Sequence, residues 1–136
     1  MGQLYTAAVT ATGGRNGEVK SSDGIIDLIV KKPTEMGGEG KATNPEQLFA
    51  AAWSSCFLGA VAAVSEKNHV DMTDATVTVR VTFNEENNAF FLSAEIDLHV
   101  PTLSIAEAQK LAEKAHLVCP YSKATKGNVQ TKVSGI

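Results

Sequence analysis

Cysteine is scarce in this chain. Cys56 and Cys119 are the two present, far apart and not a CxxC pair, too few for a disulfide scaffold. Basic blocks are missing as well. Twelve Lys and Arg stand against 15 Asp and Glu, for a net charge of −3; a mildly acidic chain without a basic run argues against nucleic acid or an anionic membrane as the main partner. The opening MGQLYTAAVT lacks the charged region and apolar stretch of a signal peptide. It matches the loose myristoylation pattern through Gly2 and Thr6, but the same residues read well as the start of a strand. No GxGxxG or GxxxxGK is present to cradle phosphates, and no G-x-S-x-G elbow to present a serine. Metal donors are equally thin. His116 and Cys119 are spaced to share a helix face, but Cys56, His69 and His99 are not paired at ligand spacing, so no metal site is expected. His116 reads instead as a helix C-terminal residue favoured by the dipole.

What is present fits one domain over residues 1–136, with enough chain for a core that needs no staples. The hydrophobic share of 43% and charged share of 20% are ordinary for a soluble globular protein. One run stands out: LFAAAWSSCFLGAVAAV, residues 48–64. It reaches the minimum for a membrane span, roughly 17 residues. Its Ala, Ser and Gly content and its lack of basic flanks fit a buried core helix better.

Residues 4–12 alternate as a strand, interrupted by GGRNG (13–17), where Asn16-Gly17 signals a type I′ turn. Residues 19–21 return, 22–24 turn again, and 25–30 make a third strand. The stretch 31–43 is a Gly- and Lys-containing loop. Asn44-Pro45-Glu46 starts a helix predicted over 45–67, with Asn as cap, Pro in the first turn and an acid at the positive end of the dipole. Residues 76–83 and 89–100 form a hairpin around the polar NEENN turn. Ser104 and Glu107 make a capping box for a helix with an apolar stripe at Ala108, Leu111, Ala115 and Val118. Pro120 ends that helix at Cys119, and VQTKVSGI returns as a last strand. The order predicts an α+β fold, antiparallel sheets around a buried central helix. So little chain to cover that helix points to a dimer that supplies the missing wall.

Cys56 sits near the middle of the apolar helix, where a free cysteine packs as a small hydrophobe unless something activates it. Arginine use bears on that. Only Arg15 and Arg80 are Arg among the 12 basic residues. Arg80 falls in an alternating strand and reads as a solvated face. Arg15 lies between Gly14 and Asn16-Gly17, on a turn that can leave it exposed or aim it inward.

Three blocks, GGRNGEVKSSDG (13–24), TNPEQLFAAAWSSCFLGA (43–60) and AHLVCPYSKATKGN (115–128), together resemble organic hydroperoxide resistance proteins of the OsmC-like superfamily. The resemblance runs over essentially the whole chain. It implies an intertwined homodimer with two active sites and a thiol peroxidase that acts in the response to oxidative stress. On the matching positions, Cys56 corresponds to the peroxidatic cysteine and Cys119 to the resolving one. Arg15 corresponds to the arginine that activates the thiolate, and Glu46 to the acid that pairs with it. Ala52-Trp53 stands where such proteins often carry Gly-Tyr, and Lys126 where Arg is common. The resemblance also implies a Cys56–Cys119 disulfide, re-reduced by an external dithiol such as dihydrolipoamide or a lipoylated protein. No cofactor is needed, and a disulfide cycle without a signal peptide belongs in a reducing cytoplasm.

Elementary chemistry agrees with that assignment. An apolar helix raises a thiol's pKa above its usual ~8.5, so a nearby cation is required to hold the thiolate. A guanidinium fixed by Glu46 through a bidentate pair suits the task and can also hydrogen-bond peroxide oxygens. Phe49, Trp53, Phe57 and Leu58 offer apolar surface for an alkyl hydroperoxide. Glu46 and Cys56 are ten residues apart on one helix, roughly 15 Å of rise, which favours Arg15 and Glu46 serving the partner chain's Cys56. Two other readings stay open: a broader OsmC-type peroxidase, and a non-catalytic apolar-ligand carrier or redox sensor with the same thiols.

Overall fold

The computed structural model describes residues 2–136; Met1 lies outside it. The chain forms two compact units, the first ending at Leu48 and the second spanning Phe49–Ile136. In the first unit, β1 (Val9–Thr12), β2 (Gly17–Ser21) and β3 (Asp27–Val30) make an antiparallel sheet in that order. The first strand starts at Val9 rather than residue 4, because its partner β2 runs out at Ser21, opposite Val9.

The turn between β1 and β2 also differs from expectation. Positive φ falls on Gly13 (77°) and Gly14 (59°), not on Asn16. The Asn16 N–H donates to the Gly13 carbonyl at 3.0 Å, so Arg15 sits at the tip of a tight turn. Gly17 is required for space instead: a Cβ there would stand 1.8 Å from the Thr12 carbonyl oxygen. The loop 31–43 contains a 3₁₀ turn, Thr34–Met36, closed by Gly37 at φ 80°. It returns to the sheet where the Lys31 N–H donates to the Thr43 carbonyl at 3.0 Å. Asn44 then caps the next helix, its Oδ1 accepting from the Gln47 N–H at 2.9 Å.

That helix, α1 (Pro45–Lys67), has the predicted bounds. In the second unit it is followed by β4 (Thr76–Glu86) and β5 (Ala89–His99), an antiparallel pair in continuous register from Thr76↔His99 to Glu86↔Ala89. Asn87 (φ 53°) and Asn88 (φ 64°) form the two-residue loop, the type I′ geometry whose twist matches the strands it joins. Next come α2 (Ile105–Val118), α3 (Pro120–Thr125) and β6 (Gln130–Gly135). The capping box forms as read: Ser104 Oγ accepts from the Glu107 N–H at 3.1 Å, and the Ser104 N–H donates to the Glu107 carboxylate at 3.0 Å.

Two expectations are corrected here. The sheet is not all antiparallel: β6 lies parallel to β5, Ser93 opposite Gln130, because α2 and α3 form a crossover that returns the chain in the same direction. And Pro120 does not merely end α2. It is the first residue of α3, where its fixed φ and missing N–H suit a helix start.

The core gathers Trp53, Phe57 and Val61 of α1, Val79 of β4, Ile96 and Leu98 of β5, and Leu111, Ala112 and Ala115 of α2. Each large side chain buried this way contributes roughly 1.5–3 kcal/mol. Gly135 lets α2 lie close on β6, since a Cβ there would be 2.3 Å from the Gln109 nitrogen. Val118, expected on the buried stripe of α2, is 46% exposed; the chain leaves helical geometry directly after it, and Cys119 takes the inward place. α1 is long and apolar enough to cross a membrane by length and composition. Its burial is one-sided, not all round. Trp53, Phe57, Ala60, Val61 and Ser65 are buried, whereas Ala51, Ser55, Gly59, Ala62 and Ala63 are exposed.

Candidate active site

Arg15 and Glu46 meet within the first unit. Arg15 Nη1 lies 2.9 Å from Glu46 Oε1 and hydrogen-bonds Oε2 at 3.1 Å. Both carboxylate oxygens thus face the guanidinium. Both side chains are partly buried, which strengthens the pair relative to a solvated one. Arg80 provides the contrast. It bridges Glu95 at 3.1 Å and Asp97 at 2.6 Å on the exposed face of the β4–β5 sheet, an arrangement that contributes little.

Cys56 and Cys119 meet within the second unit, their sulfurs 3.8 Å apart, with the Cys119 thiol directed at the Cys56 sulfur. Both are free thiols; Cys56 is partly exposed and Cys119 is buried. Cys119 is the hinge between two helices, at φ −63° and ψ 122°. Its N–H donates to the Ala115 carbonyl at 2.9 Å, and its carbonyl accepts from the Lys123 N–H at 3.0 Å. Burial pushes the Cys56 thiol up from its ordinary value, the nearby Cys119 thiol adds to this, and a hydrogen bond from the Tyr121 backbone N–H opposes it. Ser54 and Ser55, beside Cys56 in sequence, turn their hydroxyls back to the Ala51 carbonyl, at 3.2 and 2.9 Å. They belong to the helix and not to the sulfur chemistry.

The expected apolar surface divides in two. Trp53 and Phe57 are both 0% exposed and lie in the core; spacing by four puts them on the inward face of α1. Phe49 and Leu58 keep partial exposure. Trp53 packs edge-on against Phe49 at 5.8 Å, and its indole Nε1–H donates to Ser122 Oγ at 3.1 Å. His116 falls in the last turn of α2, where the sequence placed it. Burial, helped by the charge of Lys126, lowers its pKa, and its ring lies tilted against Phe57 at 6.3 Å. Among the described residues, no group of three or more His, Cys, Asp or Glu is placed to hold a metal ion.

The model of the OsmC-like protein family matches residues 38–134. The organic hydroperoxide resistance protein of Xanthomonas axonopodis pv. citri is 42% identical over 133 residues, covering 96% of this chain and 94% of that one. The chain belongs to the OsmC-like family. Within it, the chain groups with the organic hydroperoxide resistance proteins. The crystal structure of such a protein, OsmC from Legionella pneumophila, superposes with a TM-score of 0.91 at 42% identity, covering 98% of both chains. OhrB of Bacillus subtilis gives 0.89 at 36% identity, covering 98% of this chain and all (100%) of that one. The OsmC-like fold therefore accounts for the mixed α+β architecture with two three-stranded sheets.

Two residues near the thiols escaped the sequence reading. The Tyr121 N–H reaches Cys56 only because α3 begins at Pro120, and that helix was not anticipated. Ser122 was legible in part: a buried indole needs an acceptor, and a hydroxyl three residues beyond the second cysteine was a candidate.

Proposed function

We propose that the protein is a dithiol peroxidase for organic hydroperoxides. The observation that carries this reading is the 3.8 Å approach of Cys56 and Cys119, one thiol partly open to solvent and one sealed behind it. The Cys56 thiolate attacks the distal peroxide oxygen of ROOH; the S–O bond forms, the O–O bond breaks, and the alkoxide takes a proton to leave as alcohol. The Cys119 sulfur then displaces hydroxide from the Cys56 sulfenic acid, forming the disulfide and releasing water. An external dithiol, dihydrolipoamide or a lipoylated protein, returns both thiols. No metal or bound cofactor enters the cycle.

Because burial raises the Cys56 thiol, a cation must favour its thiolate. Arg15, oriented by Glu46, is assigned that role and a hydrogen bond to the peroxide. Glu46, which holds Arg15, stands ten residues before Cys56 along α1, and this supports a homodimer in which each pair serves the partner chain's thiol, on one OsmC-like domain. The small-residue face of α1 that is exposed in the single chain supports the same assembly. Phe49 and Leu58 remain the apolar surface for the alkyl group. A reducing cytoplasm is the compartment this cycle needs.

Mass spectrometry after one equivalent of cumene hydroperoxide tests the reading. Wild type should lose two hydrogens, while Cys119→Ser should gain one oxygen and then over-oxidise; Cys56→Ser should consume no peroxide. A wild type that gains an oxygen and forms no disulfide refutes the two-thiol cycle. Repeated turnover with a dithiol separates an enzyme from a carrier or a sensor, which would consume peroxide once or not at all.

A further inference from the structure

Trp53 and Ser122 are placed symmetrically about the two sulfurs. Trp53 stands three residues before Cys56 on α1, and Ser122 three residues after Cys119 on α3. A single hydrogen bond joins them, indole Nε1–H to Oγ at 3.1 Å, with the side chains sealed at 0% and 2% exposure. Apolar packing does not ask for this bond. A phenyl ring and a methyl group would fill comparable space with no polar atom to satisfy. The bond instead ties the helix that carries one thiol to the helix that begins beside the other.

We infer that Trp53 and Ser122 are positioning residues for disulfide closure, and that their hydrogen bond holds the two sulfurs within reach of each other. The inference rests on the dithiol reading given above. In the step concerned, the Cys119 sulfur attacks the Cys56 sulfenic sulfur. The S–S bond forms, the S–O bond breaks, and the departing hydroxide takes the Cys119 proton to leave as water. The sulfurs must close from 3.8 Å to about 2.05 Å, in competition with a second peroxide that would carry Cys56 to sulfinic acid. Holding the sulfurs near each other therefore acts on the fate of the sulfenic acid and not on its formation. Trp53 serves this step from inside the core.

Three variants of the full chain test it: Ser122→Ala, Trp53→Phe and the two combined. Removing one partner strands the other in the interior, whereas removing both leaves only the cost of the space that the smaller ring vacates. Rapid-quench mass spectrometry with cumene hydroperoxide follows sulfenic acid and disulfide separately. Ser122→Ala should react with peroxide at the wild-type rate, yet close the disulfide about tenfold more slowly and accumulate sulfinic acid. In the combined variant, stability in urea should return toward wild type while closure stays slow. The dithiol–disulfide equilibrium against dithiothreitol, which needs no peroxide, should shift toward the dithiol by a similar factor. Closure that recovers together with stability in the combined variant assigns the bond to the fold alone and overturns the inference, as does wild-type closure in Ser122→Ala. A protein that forms the disulfide but consumes no peroxide refutes the peroxidase reading alone, and the equilibrium shift still upholds the positioning role.

Discussion

Replacing Arg15 probes how a buried thiol becomes a nucleophile. A thiol at its ordinary pKa of about 8.5 is roughly 3% thiolate at pH 7, and one at about 6 is roughly 90%. Burial moves Cys56 in the wrong direction from that starting point, so the cation must supply at least the difference. Two and a half pKa units correspond to about 3.4 kcal/mol. At an effective dielectric of ~20, one unit charge about 5 Å from the sulfur provides that much. Arg15→Ala should therefore move the pH profile of Cys56 alkylation upward and slow the reaction at pH 7 by about tenfold or more. Because Cys119 is buried, iodoacetamide reads Cys56 selectively in the folded protein. Arg15→Lys should shift the profile less, yet lose most turnover with a dithiol, because an ammonium is a point charge without the planar fork. If Arg15→Ala leaves the alkylation profile in place, the thiolate is not held by Arg15. If Arg15→Lys turns over at near wild-type rate, charge alone suffices and the geometry of the Glu46 pair is irrelevant.

Organic hydroperoxides should be reduced faster than hydrogen peroxide, each methylene that reaches apolar surface adding up to about 0.8 kcal/mol, or about fourfold in kcat/KM; equal efficiency for the two would remove the argument from Phe49 and Leu58. Ser104→Ala should cost about 1 kcal/mol by opening the capping box of α2 and lower Tm by roughly 3–5 °C, read by calorimetry, with the Cys56 alkylation profile unchanged. The depressed pKa of His116 gives a signed pH dependence. The unfolded imidazole binds a proton that the folded one resists, so stability is full above about pH 6.5 and is lost as pH falls through the folded value. Urea midpoints from pH 7 to 5 should fall in wild type and fall less in His116→Gln; parallel slopes would exclude His116 as the cause.

Local signals were the readable ones. Asn44 and Pro45 set the start of α1 through a cap and a first-turn proline, and Ser104 with Glu107 did the same for α2; both are chemistry within one turn of helix. The β4–β5 hairpin was legible because its loop is polar and its strands alternate. What failed depended on partners far away in sequence. The parallel pairing of β6 with β5 depends on α3, and α3 was invisible while Pro120 was taken only as a terminator. The turn at 13–17 offered four glycine or asparagine positions able to adopt positive φ, and pairing of Thr12 with Glu18 chose Gly13 and Gly14. At the site, the residue types at Cys56, Cys119, Arg15 and Glu46 stood out through the resemblance. The burial of Trp53 and Phe57 did not, since which side of an evenly apolar helix faces the sheet is decided by the sheet.

Cys119 occupies a place where the backbone has no slack. Its N–H and carbonyl are both engaged, one ending a helix and the other starting the next, and a proline ring follows. The sulfur can travel, but the main chain beneath it is pinned. Joining the two thiols is then a matter of side-chain torsions, motions of picoseconds to nanoseconds, with no segment melting to let them meet. Reduced and oxidised protein should accordingly show the same amide-exchange protection through Ala115, Cys119 and Lys123. A cycle of this kind can repeat without periodically exposing its interior to proteases or to aggregation.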